Sequence, residues 1–239
     1  MNGAVIFAGG SGMRMNHGGL PKQFLEFEGK PIIVYTLELF ENHPDIDSIV
    51  VACLKDWIPY LQELIIKFNL KKVHKIVAGG ATSQDSIREG LEALTKLIPE
   101  DSVVLIHDGV RPLINRKTIS DNIESVNKFG SCITSVAAKE TFIISDQKDG
   151  NLSIPNRKDC KVARAPQSFY LKDIIEAHRR ALIEGKHEFI DCCTMMNHYG
   201  HHLHTIEGPE ENIKITTPTD YFLFKALIKI RENNQIYGM

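Results

Sequence analysis

Apolar residues run along this chain in two alternating rhythms. Short unbroken runs, AVIF (4–7), SIVVACL (48–54), VHKIVAGG (73–80) and SVVLIHD (102–108), have the length and β-branched content of buried strands. Between them, apolar positions recur every three or four residues. PIIVYTLELF (31–40) predicts a helix with proline in its first turn, and KDWIPYLQELIIKF (55–68) a second that starts near Pro59. TSQDSIREGLEALTKLI (82–98) sets Ile87, Leu91, Leu94 and Ile98 on one stripe. NRKTISDNIESVNKFG (115–130) sets Ile119, Ile123 and Val126 on another, then stops at Gly130. This alternation predicts an α/β chain, a mostly parallel sheet with helices on both faces. Ligands of such sheets sit at the carboxyl ends of the strands. The glycine loop after the first strand, GGATSQDS after the third and HDGVRP after the fourth would meet there.

The pattern changes after residue 131. CITSVAAKETFIIS (132–145) is β-rich, DQKDGN (146–151) reads as a turn, and LSIPNRKDCKVARAPQSF follows as an extended run with two prolines. Together they predict a hairpin arm around 139–158. YLKDIIEAHRRALIEG (170–185) returns to helix, HHLHTIEG (201–208) reads as a strand, and the last helix spans about 218–232. No repeat, low-complexity tract or linker divides the chain, so residues 1–239 read as one domain with an arm. The 43% hydrophobic and 24% charged composition suits a sizeable core. A net charge of −2 supplies no basic field for nucleic acid or an anionic membrane. No apolar run approaches the roughly 18 residues of a membrane span. Five cysteines and no signal-peptide pattern predict a reduced, cytoplasmic protein.

One stretch carries chemistry of its own. AVIFAGGSGMRMNHGGLPKQF (4–24) runs from the first strand through Gly9, Gly10, Ser11 and Gly12 to Arg14 and Lys22. Glycines admit positive φ and let a polyphosphate come close to backbone N–H groups. A dinucleotide fingerprint needs a third small residue where the helix packs on its strand, and Met13, Arg14 and Met15 stand there instead. A Walker A loop needs GK[ST], which is absent. The remaining option is a loop whose glycines approach a triphosphate and whose cations neutralise it. Read singly, Arg14 fits better as a capping residue and Lys22 as a surface lysine.

AGGSGMRM and LPKQFLEFEGKPIIVYTLE resemble the sugar-nucleotidyltransferase signature in the form used by small CTP-dependent enzymes. That family comprises 2-C-methyl-D-erythritol 4-phosphate and ribitol-5-phosphate cytidylyltransferases. The likeness runs the length of the chain, with SQDSIREGL, HDGVRP, KET, APQSF and NIKITTPTD in family order. The resemblance implies a Rossmann-like nucleotidyltransferase fold, mostly parallel, with a protruding β-arm at about 139–158 that interlocks two subunits of a homodimer. It implies CTP and a polyol phosphate as substrates, Mg²⁺ (or Mn²⁺) as cofactor, and attack of a polyol-phosphate oxygen on the α-phosphorus of CTP.

Both reactants are anions, so the resemblance assigns cations to catalysis. Arg14 matches the loop arginine on the triphosphate; Lys22 and Lys214 match two lysines on the α-phosphate. Ala8, Gly9, Gly10, Ser11, Gly12, Gly80 and Ser86 match the nucleotide-binding positions. Asp108, in HDGVRP, matches a magnesium ligand; its other reading is a turn-capping aspartate. Arg111, Thr141 and Arg157 match acceptor-binding positions, the last two on the arm and reaching a neighbouring subunit. The chain also departs from the pattern. Gly109 replaces an alanine, Ser83 stands where many members carry an arginine, Ala165 replaces a threonine and Arg164 a common glutamine. Lys158, Lys161 and Arg164 are either acceptor-related or solvated. Asp191 matches an acidic position that caps the following helix and lines the acceptor side.

Two features stand apart. Cys192, Cys193, His198, His201, His202 and His204 form no CxxC or HxxxH pair, and on a strand His202 and His204 would share one face, His201 the other. Trp57 on an amphipathic helix reads as packing. For the acceptor, GKPIIVYTLELF, the Lys55-Asp56-Trp57 step and PQSF favour ribitol 5-phosphate. The alternatives are 2-C-methyl-D-erythritol 4-phosphate and a catalytically silent nucleotide-binding homologue.

Overall fold

The computed structural model describes residues 1–9, 19–146, 150–186 and 188–237. Chain order begins with β1 (Asn2–Ala8), β2 (Glu26–Phe27), β3 (Lys30–Pro31), α1 (Ile32–Glu41), β4 (Ser48–Cys53), α2 (Ile58–Lys67) and β5 (Val73–Ala78). There follow α3 (Ser83–Leu94), β6 (Val103–Asp108), α4 (Arg116–Phe129), β7 (Ser131–Ala137), β8 (Ile144–Ser145) and β9 (Leu152–Ser153). The chain closes with β10 (Lys161–Tyr170), α5 (Leu171–Ile183), α6 (Cys192–His198), β11 (Thr205–Glu207) and α7 (Pro218–Tyr237).

Seven strands form one sheet in the order β11-β7-β10-β6-β1-β4-β5. β1 lies parallel to β4 and β6, β4 to β5, and β7 to β11, while β10 runs antiparallel to both β6 and β7. Six strands therefore share one direction. Successive residues of the central strands point to opposite faces, and both faces are covered. Ala4, Ile6, Ile49, Val51 and Leu105 pack with Leu37 and Phe40 of α1, Leu61 of α2 and Ile119, Ile123 and Val126 of α4. Val5, Val50, Val104 and Ile106 pack with Ile87, Leu91 and Leu94 of α3, Ile174 and Ile175 of α5 and Met195 of α6. Coverage on both sides is why these strands read as continuous apolar runs. A third cluster docks Phe224 of α7 against Phe27, Ile32, Val110, Leu113 and Ile215. No helix among the described residues is long and apolar enough to cross a membrane.

The single antiparallel strand has a geometric consequence. β7 ends at Ala137 and β10 begins at Lys161, and these two residues are paired. The intervening segment thus leaves the sheet at the edge where β1 and β6 end. Within it, β8 and β9 form a two-stranded ribbon, Ile144 opposite Ser153 and Ser145 opposite Leu152.

Two strand expectations need correction. The β-rich run 132–145 holds strand only to Ala137 and again at Ile144–Ser145. The run 201–208 is strand only at Thr205–Glu207. Ser131 accounts for the shortening: its Oγ donates to the His202 carbonyl and accepts from the His204 N–H, replacing ladder bonds. The three histidines therefore do not alternate across a strand, and His204 stacks on Phe129 with ring centroids 4.2 Å apart.

Candidate active site

The site begins where β1 stops. Ala8 is its last residue, and its carbonyl accepts a 2.8 Å hydrogen bond from Nε2 of the buried Gln23. The next residue, Phe24, is fully buried, stacked on Trp57 at 5.1 Å and edge-on to Tyr60 at 5.2 Å. Gln23 and Phe24 thus anchor the PKQF turn from both sides, and Lys22 lines a cleft at the carboxyl end of the sheet. Trp57 is part of that anchor. Gly10, Ser11, Gly12 and Arg14 lie outside the described residues.

The opposite wall is the start of α3. Thr82 and Asp85 form a capping box: Asp85 N–H donates to Thr82 Oγ1 at 3.0 Å and Thr82 N–H to Asp85 Oδ2 at 3.1 Å. Arg88 Nη1 holds Asp85 Oδ1 at 3.0 Å, and Gly80 N–H donates to Ser86 Oγ at 3.2 Å. The loop is therefore fastened without an arginine at Ser83. A side chain on Gly80 would sit 2.3 Å from Asp85 Cβ, and one on Gly9 would sit 2.7 Å from Ser86 Oγ. Glycine at both positions is what lets β1, β5 and α3 close to this width.

The third component is charged. Asp108 ends β6 beside Phe7 and is 5% exposed. Its Oδ2 accepts from Arg111 Nε at 2.8 Å and its Oδ1 lies 2.6 Å from Lys214 Nζ. Burial alone would raise this carboxyl, but Arg111 and Lys214 outweigh it and hold the group well below the usual carboxylate range. Arg111 is buried too, with Nη1 donating to the Asn212 carbonyl at 3.0 Å. His107 closes the turn behind Asp108, its Nε2 donating to the Arg111 carbonyl at 3.0 Å. Lys214 is aimed by its neighbours: Ile215 is fully buried, its N–H bonded to the Val110 carbonyl at 3.0 Å, and Ile213 packs on the same cluster. Between them, Lys214 reaches Asp108.

Two cavities meet at this cluster. One, of about 470 Å³, is lined by Ala8, Gly9, Lys22, Gly80, Ser86 and their neighbours. The other, of about 200 Å³, is lined by Arg111, Arg164, Gln167 and Asp191 among others. Phe7, Ser83, Asp108 and Lys214 line both. The structure thus brings Ala8, Gly9, Lys22, Gly80, Ser86, Asp108, Arg111 and Lys214 together. Thr141 and Arg157 line neither cavity; both are exposed, and Arg157 Nη1 donates to the Lys139 carbonyl at 3.2 Å. Asp191 caps α6, accepting Thr194 N–H at 2.8 Å, and its Oδ2 takes Gln167 Nε2 at 3.0 Å. Cys192 is buried beside Met195 and Met196, and burial pushes its thiol far up. Sequence reasoning passed over Gln23, Asn212 and Gln167, although each sits inside a quoted motif.

With this geometry in place, likeness to known proteins becomes informative. Residues 3–230 match the IspD family, 2-C-methyl-D-erythritol 4-phosphate cytidylyltransferase. A ribitol-5-phosphate cytidylyltransferase of Streptococcus agalactiae is 53% identical over the full length of both chains. A 2-C-methyl-D-erythritol 4-phosphate cytidylyltransferase of Clostridium botulinum is 38% identical, covering 95% of this chain and 97% of that one. The crystal structure of 4-diphosphocytidyl-2C-methyl-D-erythritol synthase from Anaerococcus prevotii superposes with a TM-score of 0.82 at 27% identity, covering 95% of each chain. A mostly parallel sheet with a glycine-walled cleft at its carboxyl edge, and likeness along the whole chain, place this protein in the IspD-like cytidylyltransferase family, whose members are CTP-dependent nucleotidyltransferases.

Proposed function

We propose that the protein transfers the cytidylyl group of CTP to D-ribitol 5-phosphate, giving CDP-ribitol and pyrophosphate. The observation that carries this reading is the Lys214–Asp108–Arg111 cluster between two cavities, one glycine-walled and one arginine-walled. The choice of acceptor rests on the 53% full-length identity to the Streptococcus agalactiae relative, against 38% for the Clostridium botulinum one.

CTP is assigned to the larger cavity, which Ala8, Gly9, Gly80 and Ser86 line. A phosphate oxygen of the acceptor attacks the α-phosphorus in line; the bond to the bridging oxygen breaks, and pyrophosphate leaves with the electron pair. The chain supplies charge and position rather than a nucleophile. Lys22 and Lys214 approach the α-phosphate from the two sides of the cleft, and Arg14 is assigned to the leaving triphosphate end. Arg111 faces the acceptor.

Asp108 is the residue that would hold Mg²⁺ (or Mn²⁺), which supplies charge neutralisation to the triphosphate. Its donor chemistry fits: a hard carboxylate oxygen donor at the junction of the two cavities. Among the described residues no group of three or more His, Cys, Asp or Glu could hold a metal without substrate.

The same proposal includes a homodimer. Phe142, Ile143, Ile144, Leu152 and Ile154 are all exposed on the arm. A two-stranded ribbon is marginal alone and gains order by packing on a partner. Thr141 and Arg157 would then serve the neighbour's acceptor cavity. Five free cysteines suit a reducing, cytoplasmic setting.

The test is pyrophosphate release from CTP, with and without EDTA, offering D-ribitol 5-phosphate and 2-C-methyl-D-erythritol 4-phosphate in turn. Metal-dependent release with the first is expected. Preference for the second would move the protein to the isoprenoid reaction, and release with neither would make it a silent binding homologue. Mixing Lys22→Ala chains with Arg157→Ala chains checks the dimer: after subunit exchange, one site per heterodimer is intact and activity returns.

A further inference from the structure

Of the three basic residues that separate this arm from the family pattern, two are accounted for at the surface. Lys158 is exposed, and Lys161 Nζ bonds Thr205 Oγ1 at 2.7 Å. Arg164 differs. The pairing of β10 with β7 breaks between Ala163 and Gln167, so Arg164 leaves the ladder. Asn212 Nδ2 pins this irregular stretch through the Ala165 carbonyl at 2.6 Å. The break turns Arg164 into the wall of the smaller cavity, with Arg111 and Lys214 on the same lining.

Among the described residues the Arg164 guanidinium has no acceptor. Its Nε is buried with no hydrogen-bond partner, although a guanidinium offers five donors. Burial, and then the positive charge of Arg111, push its pKa down. Asp191 lines the same cavity, but its oxygens accept from Thr194 and Gln167 rather than from Arg164. Arg111 already has Asp108 opposite it, whereas Arg164 has no anion among the described residues; a buried donor left unpaired is unfavourable, and a phosphate beside Arg164 relieves it. Phosphate also matches the planar fork of a guanidinium.

We propose that Arg164 binds the phosphate of the polyol phosphate within its own subunit, and so sets acceptor affinity together with Arg111. The inference rests on the two-cavity reading above. The acceptor is favoured over CTP because Gly9, Gly80 and Lys22 line the other cavity, not this one.

Steady-state kinetics of Arg164→Ala, Arg164→Gln and Arg164→Lys test it, with both substrates varied. Loss of one charge-assisted contact should raise the acceptor KM about 10- to 100-fold. The CTP KM should move by less than about threefold, because that contact is absent from the nucleotide cleft. Arg164→Lys should keep part of the affinity, since it retains charge without the fork. Melting curves identify any variant that fails to fold, and the Gln and Lys forms then carry the comparison. An unchanged acceptor KM, or an equal rise in the CTP KM, overturns the role of Arg164 while an active wild type leaves the proposed reaction standing. A wild type that uses neither acceptor overturns that reaction, and this inference with it.

Discussion

Replacing Asp108 with asparagine removes one charge from the junction of the two cavities and changes almost no volume. The consequence can be sized from the structure. Asp108 and Arg111 have side chains 7% and 10% exposed and meet at 2.8 Å. At an effective dielectric of about 20, two unit charges at that separation attract by roughly 6 kcal/mol, much of it offset by desolvation. Breaking a buried pair from one side typically costs about 3–5 kcal/mol, because the remaining charge is stranded. The amide oxygen of asparagine still accepts one bond, which lowers the expectation to about 2–4 kcal/mol. Lys214 is 39% exposed, so its pair with Asp108 adds little. For a chain of this size the loss corresponds to a fall in melting temperature of about 5–15 °C. Thermal melts of wild type and Asp108→Asn at pH 8, 7, 6 and 5 measure it. The Asp108 carboxyl is depressed in the folded protein, so its contribution is complete above its unfolded pKa near 3.9. It fades only as pH falls from there through the folded value. The gap between the two proteins should therefore stay constant from pH 8 to 5. A variant melting within about 1 °C of wild type, or a gap that changes over that range, refutes the argument.

Two further outcomes follow from the same geometry. Lys22→Ala and Lys214→Ala should each lower turnover about 10²-fold, the usual cost of one transition-state electrostatic contact, with the circular dichroism of wild type; near-normal turnover in either removes that lysine from the mechanism. His107 and His178 are buried and held neutral, burial pushing each pKa down to about 4. The unfolded chain binds their protons first, near pH 6.5, so stability should fall as pH drops from about 6.5 to 4, by up to about 1.4 kcal/mol per pH unit for each histidine. Urea unfolding at pH 7, 6 and 5 measures the slope, His178→Leu should reduce it, and a flat profile contradicts it.

The sheet was legible in the sequence because its central strands are covered on both faces. Apolar runs at 4–7, 48–54 and 102–108 have no solvent side to interrupt them. The stripes of α3 and α4 were equally plain, since Ile87, Leu91, Ile119 and Val126 all reach a core. What failed was the outer part of the sheet. HHLH looked like strand, yet Ser131 takes its backbone groups. FII looked like strand, yet Phe142 and Ile143 are exposed and unpaired in the ribbon. In the site, charged residues were found by motif and their supports were not. Gln23 and Asn212 act through the carbonyls of Ala8 and Ala165, and no side-chain pattern encodes which distant carbonyl an amide will meet. Arg164 was visible as a departure, but only the broken register of β10 turns it into a cavity wall.

Strand direction explains why these pieces meet. A wholly parallel sheet offers one crevice for a ligand beyond its carboxyl ends. Here β10 runs against its neighbours and enters the sheet from that same edge, bringing in Arg164 ahead of Gln167, which pairs with Ile106 near the end of β6. Asp108 is the last residue of β6, with β1 on one side and β10 on the other. The nucleotide-like cleft lies toward β1, β4 and β5, and the arginine-walled cavity toward β10. One carboxylate set between Arg111 and Lys214 leaves the junction with a net charge of about +1, which favours phosphate on either side without leaving two cations unopposed. On the proposed reading, the antiparallel strand is what converts a one-ligand sheet edge into a site that aligns two anions in line.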